Sequence, residues 1–255
     1  MNQPLLQVNN LMMRFGGLLA VDKVSFKVEA GQVVSLIGPN GAGKTTVFNC
    51  VSGFYQPTAG EVLFDGKAMH KLPGHLIARH GMVRTFQNIR LFKEMTVLEN
   101  LLVAQHMQAE RNLLKGLLNT PGYRKKENEL MDRAAYWLDR VRLTDFANRE
   151  AGTLAYGQQR RLEIARCMVT QPRLLMLDEP AAGLNPQETS ELDELIMELR
   201  REHGVTVLLI EHDMKLVMGI SDQVIVINQG APLATGTPAE ILANPAVIKA
   251  YLGEE

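Results

Sequence analysis

Hydrophobic and polar positions follow two periods along this chain, one that of a strand and the other that of a helix. Leu5 to Met13 and Ala20 to Val28 alternate in polarity and predict two antiparallel strands. Between them lies Arg14-Phe15-Gly16-Gly17, a turn with glycine at both flexible positions. Val33 to Ile37 is apolar almost throughout, as in a strand covered on both faces, and Val47-Phe48-Asn49-Cys50-Val51 then predicts a helix. Pro57-Thr58-Ala59-Gly60 turns into a strand over Glu61 to Phe64, and Asp65-Gly66 is a hairpin signal. Up to about residue 86 the pattern is strands with one short helix.

The character changes from Thr96 to Val141. Leu98, Leu101 and Leu102, then Ala134, Ala135, Leu138 and Val141, recur at helical spacing, so this stretch predicts a mostly helical lobe. Asn119-Thr120-Pro121-Gly122 interrupts it, and Arg124-Lys125-Lys126 reads as a solvated helix start. Strand and helix alternate again after residue 170. Arg173 to Leu177 and Val205 to Ile210 read as buried strands; between them Asn185-Pro186 starts a helix with Leu192, Leu195, Ile196 and Leu199 on one face, ended by Gly204. A further helix, strand and hairpin follow, and Thr237-Pro238 and Pro245 open two short helices. The pattern implies an α/β fold: a mainly parallel sheet wrapped by helices, with antiparallel strands beside it and a phosphate site at the carboxyl ends of its strands.

With 255 residues the chain can bury one large domain carrying a smaller lobe. A formal net charge of −1, with both signs mixed, argues against nucleic acid as a partner. Cys50 and Cys167 lie far apart in apolar surroundings and read as buried thiols in a reducing compartment. The first residues lack a leader pattern, and no apolar run approaches the ~18 residues of a transmembrane helix, so the expectation is a cytosolic protein that reaches a membrane through a partner.

The chemistry centres on Gly38-Pro39-Asn40-Gly41-Ala42-Gly43-Lys44-Thr45-Thr46, a G-x-x-x-x-G-K-T string between a predicted strand and a predicted helix. Its glycines allow a tight turn whose N–H groups point inward, and the helix start adds partial positive charge, so a polyphosphate fits. Lys44 can reach the terminal phosphates and the Thr45 hydroxyl can hold Mg²⁺. Leu174 to Leu177 ends in Asp178-Glu179, two carboxylates at the end of an apolar strand. Asp178 is the expected Mg²⁺ partner and Glu179 the general base that polarises the attacking water. His212 follows another apolar strand at the same sheet edge, where the γ phosphate should lie. Gln87, after Val83-Arg84-Thr85-Phe86, could bind the metal or the water without adding charge. No Asn-Lys-x-Asp guanine signal is present.

This ordered set, together with Leu154-Ala155-Tyr156-Gly157-Gln158 and Ala182-Gly183-Leu184-Asn185, resembles the ATP-binding cassette of ABC transporters across essentially the whole chain. The resemblance implies one ATP-binding domain over 1–255, with 1–87 and 170–255 as core and antiparallel β layer and about 88–169 as the helical signature subdomain. It implies Phe15 as the ring that stacks on adenine, and Ala155, Tyr156, Gly157 and Gln158 as the signature that closes on ATP held by a second cassette. The usual Leu-Ser-Gly-Gly-Gln reads Leu-Ala-Tyr-Gly-Gln here, so Ala155 lacks the expected hydroxyl and Tyr156 replaces a glycine; Asn185 stands where Asp is common.

Finer similarity is to the longer ATPase subunit of branched-chain amino-acid importers, carried by Arg84 to Gln87, Glu94 to Asn100, Tyr156 to Glu163 and Ala250-Tyr251-Leu252-Gly253. It implies ATP and Mg²⁺ as cofactors and a place on the cytoplasmic face of the membrane. It also implies as partners a second ATPase, either a different, shorter one or a second copy of this chain, two membrane-spanning permeases and, indirectly, a periplasmic or surface amino-acid-binding protein. Segment 88–100, with Ile89, Leu91, Phe92 and Met95 among charges, is expected to form the groove for the permease. The motor of a lipid or lipopolysaccharide exporter, a soluble cassette acting on ribosomes or DNA, and a different P-loop enzyme, a GTPase or small-molecule kinase, are the alternatives.

Overall fold

The computed structural model describes residues 3–106 and 120–252. It contains two compact units, Met1–Gln87 with Pro172–Glu255, and Asn88–Gln171. The first unit begins with β1 (Leu6–Phe15), β2 (Leu18–Val28), β3 (Val33–Ile37), α1 (Lys44–Val51), β4 (Ala59–Phe64), β5 (Lys67–Ala68), α2 (Gly74–Arg79) and β6 (Met82–Arg84). The second unit holds α3 (Val97–Ala104), α4 (Pro121–Arg140) and α5 (Tyr156–Met168). The chain then completes the first with β7 (Leu174–Asp178), α6 (Pro186–His203), β8 (Thr206–Ile210), α7 (Met214–Ile220), β9 (Gln223–Asn228), β10 (Ala231–Gly236), α8 (Pro238–Leu242) and α9 (Pro245–Leu252).

One sheet of the first unit has the order β10-β9-β3-β8-β7-β6 and is parallel except for the β9/β10 hairpin; the other, β2-β1-β4-β5, is antiparallel. Every residue of β3, β7 and β8 is buried, which is why these strands read as unbroken apolar runs. The apolar faces of both sheets share one core with α1, including Val8, Leu11, Val47, Phe48, Phe64, Met176 and Ile210. At about 1.5–3 kcal/mol for each large apolar side chain buried, this core fixes the register of the parallel strands. Leu36 pairs with Ile210, and Ile210 with Asp178, so the segments after β3, β7 and β8 emerge at one edge.

Several boundaries differ from the sequence pattern. β1 runs on through Arg14 and Phe15, leaving Gly16-Gly17 alone as the turn, because Arg14 and Phe15 still pair with Leu19 and Leu18. Asp178 is the last residue of β7, one place beyond the apolar run. Thr120-Pro121 starts a helix: the Thr120 side chain accepts from the Tyr123 N–H and Pro121 occupies the first turn. In the second unit α3, α4 and α5 pack on one another through Leu101, Leu130, Ala134, Leu138 and Leu162, all buried. Buried Asn100 ties the segment before α3 together, accepting the Phe92 N–H at 3.0 Å and donating to the Phe92 carbonyl at 2.9 Å. Phe92 and Met95 are exposed, as expected for 88–100, whereas Ile89 and Leu91 are half-buried. Cys50 and Cys167 are buried, and burial pushes both thiols up to about 12.

Candidate active site

The loop after β3 is shaped by backbone contacts that admit no side chain. A Cβ on Gly38 would lie 2.1 Å from the Ile227 carbonyl oxygen. Gly43, at φ 96° and capping α1, would bring one to 2.7 Å from the Ala20 carbonyl oxygen. Gly38 to Thr46 therefore wrap the start of α1, which has no side-chain cap and no acidic residue in its first turn. Lys44 is buried and folds back along the loop, its Nζ donating to the carbonyls of Gly38 at 2.8 Å and Pro39 at 3.0 Å. Loss of hydration lowers its pKa, opposed by the charge of Glu179.

A cavity of about 550 Å³ opens over this loop, bounded by Phe15 and Leu18, by Asn40 to Thr46, and by Glu179 and His212. Phe15 is 42 % exposed and its ring meets Tyr55 edge-on at 5.3 Å, at the edge of the cavity where a planar ligand could stack.

Glu179 follows β7 with φ 46°, a conformation uncommon for a residue with a side chain, held by its N–H bond to the Ile210 carbonyl at 2.9 Å. Its carboxylate lies between Gln87 and His212. Gln87 Nε2 donates to Oε2 at 2.8 Å, and His212 Nε2 lies 2.6 Å from Oε1. Residues 87, 179 and 212, from three separate loops, thus meet at one carboxylate. Asp178 is buried, its Oδ2 accepting Arg84 Nη2 at 2.5 Å.

Two residues of the site carried no role in the sequence pattern. Arg84 also donates through Nη1 to Asn49 Oδ1 at 2.7 Å and Ser52 Oγ at 2.9 Å, joining β7 to α1. Glu211 is buried at the end of β8; its Oε1 accepts the Ala181 N–H at 2.7 Å and its Oε2 the His212 N–H at 2.9 Å. It fixes the loop that carries His212 to the turn after Glu179. Glu211 had a signal, a carboxylate ending an apolar strand as Asp178 does; Arg84 had none locally.

The signature residues lie in the second unit. Ala155 caps α5, its N–H donating to Gln158 Oε1 at 3.0 Å. Tyr156 is exposed, its hydroxyl 3.3 Å from Nη2 of buried Arg160, which pairs with Glu163 at 2.9 Å. Gly157 is buried against the helix start, and α5 carries no acid in its first turn.

The profile described as ABC transporter matches residues 21–182. This chain belongs to the ABC transporter family. A second profile, the branched-chain amino acid ATP-binding cassette transporter, matches residues 231–255. Over the full length of both chains, it is 70 % identical to the high-affinity branched-chain amino acid transport ATP-binding protein BraF of Pseudomonas aeruginosa, and 66 % identical to LivG of Escherichia coli K12, of the same description. Among solved structures, an ATP-binding cassette of an ABC transporter in its ADP conformation superposes with a TM-score of 0.86 at 34 % identity, covering 99 % of this chain and 100 % of that one. A nucleotide-free cassette gives 0.85 at 33 %, with the same coverage. The fold is the ABC ATPase cassette, and the chain is a nucleotide-binding ATPase subunit of that family. Among the described residues no helix is long and apolar enough to cross a membrane.

Proposed function

We propose that this chain hydrolyses ATP to drive the import of branched-chain amino acids, as a peripheral subunit on the cytoplasmic face of a membrane transporter. The observation that carries the hydrolytic part is Glu179 held between Gln87 and His212 at the mouth of the Lys44 loop. The cargo rests on full-length relatives of that description at 66–70 % identity.

In this reading Phe15 stacks on adenine, while the N–H groups of Gly38 to Thr46 and the Lys44 ammonium bind the phosphates. The Thr45 hydroxyl, the Asp178 carboxylate and the Gln87 amide oxygen form a hard-oxygen set suited to Mg²⁺. Bound there, Mg²⁺ neutralises charge developing on the phosphates. Glu179 accepts the proton of the attacking water as general base. His212 and Gln87 hold the Glu179 carboxylate toward that water, and Glu211 fixes the loop behind His212. Ala155 to Gln158 present the open start of α5 to nucleotide on a second, shorter ATPase. Without the usual serine hydroxyl, that second site is weakened by about 0.5–1.5 kcal/mol. Phe92 and Met95, exposed in segment 88–100, contact one of two membrane-spanning permeases, which receive the amino acid from a periplasmic binding protein.

Uptake of labelled leucine and of an unrelated amino acid in the source cell, with the native chain and with Glu179→Gln, tests this function. Leucine uptake falls in the variant while the control persists. Equal leucine uptake by a variant that binds ATP without hydrolysing it removes the cargo assignment.

A further inference from the structure

Arg84 lies three residues before Gln87, and its side chain is buried to 6 % exposure beside that of Asp178 at 4 %. Its planar fork divides its donors between two elements. Nη1 takes Asn49 of α1, the helix that starts with Lys44 and Thr45, and Ser52 at its C-terminal cap, and Nη2 takes Asp178 Oδ2 at the end of β7. Around the guanidinium stand the rings of Phe48 at 5.5 Å, Phe54 at 5.7 Å and Phe86 at 5.2 Å, and Phe54 in turn meets Phe86 edge-on at 5.2 Å. Phe86 is the residue before Gln87. One cation therefore touches both elements that would supply Mg²⁺ ligands and the chain that leads into a third.

We propose that Arg84 is a positioning residue for the metal-nucleotide complex: by holding Asp178 Oδ2 against α1, it presents Oδ1 to Mg²⁺. The proposal rests on the reading of Asp178 as a metal ligand. A carboxylate free to rotate presents either oxygen; one whose outer oxygen is tied by a charged hydrogen bond presents a single, oriented donor. Only a forked cation reaches acceptors on α1 and on β7 together, so lysine keeps the charge and loses the geometry.

The test titrates Mg²⁺ against binding of a fluorescent ATP analogue to the purified full chain, for native protein, Arg84→Met, Arg84→Lys and Asp178→Asn, with binding in EDTA as reference. The half-saturating Mg²⁺ concentration rises about tenfold in Arg84→Met and less in Arg84→Lys, while affinity in EDTA stays within about twofold. An Mg²⁺ requirement unchanged or lowered in the Arg84 variants overturns the proposal, the second result making Arg84 a competitor of the ion. If Arg84→Met does not fold, as judged by circular dichroism, Arg84→Lys carries the test with the same criteria. If Asp178→Asn leaves the requirement unmoved, the metal reading of Asp178 itself fails; if it raises the requirement and the Arg84 variants do not, only the role of Arg84 falls.

Discussion

Among the described helices, two kinds of start contrast most sharply. α3, α6 and α8 begin on Thr96, Asn185 and Thr237, whose side chains accept an N–H of the first turn, while Glu99, Glu188 and Glu240 reach back to the cap N–H. These bonds from Thr96 and Thr237 hold the Glu99 and Glu240 carboxyls below their usual range. Such helices quench their own orphan donors and place a negative charge on their positive ends. α1 and α5 begin on Gly43 and Ala155, which have no side chain to cap with, and neither carries an acid in its first turn. α5 keeps one half of the box in uncharged form, Gln158 accepting the Ala155 N–H. Short α2, which begins on Pro73, is uncapped as well, so an open start alone does not mark a ligand site; at α1 and α5 it coincides with the two motifs, where the N–H groups and the dipole would be left for an anion.

The largest expected break in this comparison is at Lys44, which adds a full charge to the open start of α1. Lys44→Ala lowers ATP affinity about 10- to 100-fold, the loss of charged hydrogen bonds to phosphate, measured by fluorescence titration. A closed start should behave differently. Asn185→Ala costs about 1 kcal/mol in urea unfolding and leaves ATP affinity unchanged.

α6 also carries a weakness further along. Asp193 Oδ1 is buried with no hydrogen-bond partner among the described residues, and burial first, then Asp213 and Glu211 against the opposing Lys215, push its carboxyl up to about 6. Its folded pKa lies above the unfolded value of about 3.9, so folding takes up a proton between them. The stability this gives is present below the unfolded value and is lost as pH rises through about 6. With the screening appropriate to a half-buried side chain, Asp193→Asn gains about 1 kcal/mol at pH 7.5 and almost none at pH 4, read from denaturant midpoints at both pH values. The smallest effect sharpens the contrast itself: Ala155→Ser closes part of the α5 start and stabilises the chain by about 0.5 kcal/mol, seen as a higher Tm.

Part of this contrast was legible in the sequence because caps are local: Asn-Pro at 185, Thr-Pro at 237 and the G-x-x-x-x-G-K-T string each lie within one turn of chain, whereas the reciprocal Thr96–Glu99 and Thr237–Glu240 bonds came only with the structure. The apolar runs that became β3, β7 and β8 were legible for the same reason, since a strand buried on both faces leaves no polar gap. Strand ends were less so: Arg14 and Phe15 belong to β1 through pairing with β2, which no single-strand pattern records. Arg84 was illegible as a site residue because its partners lie 32 to 94 positions away. Nothing in Val83-Arg84-Thr85-Phe86 states that α1, earlier in the chain, and β7, later in it, place Asn49, Ser52 and Asp178 around one guanidinium.

The central claim is that Glu179, held by Gln87 and His212 beside the open start of α1, is the base that hydrolyses ATP. Purified Glu179→Gln, compared with the native chain for binding of a fluorescent ATP analogue and for phosphate release, tests it most directly. The account predicts binding within about twofold and phosphate release lower by about 10²- to 10⁴-fold, the range for loss of a general base. Phosphate release at the native rate by a variant that binds ATP normally would contradict it.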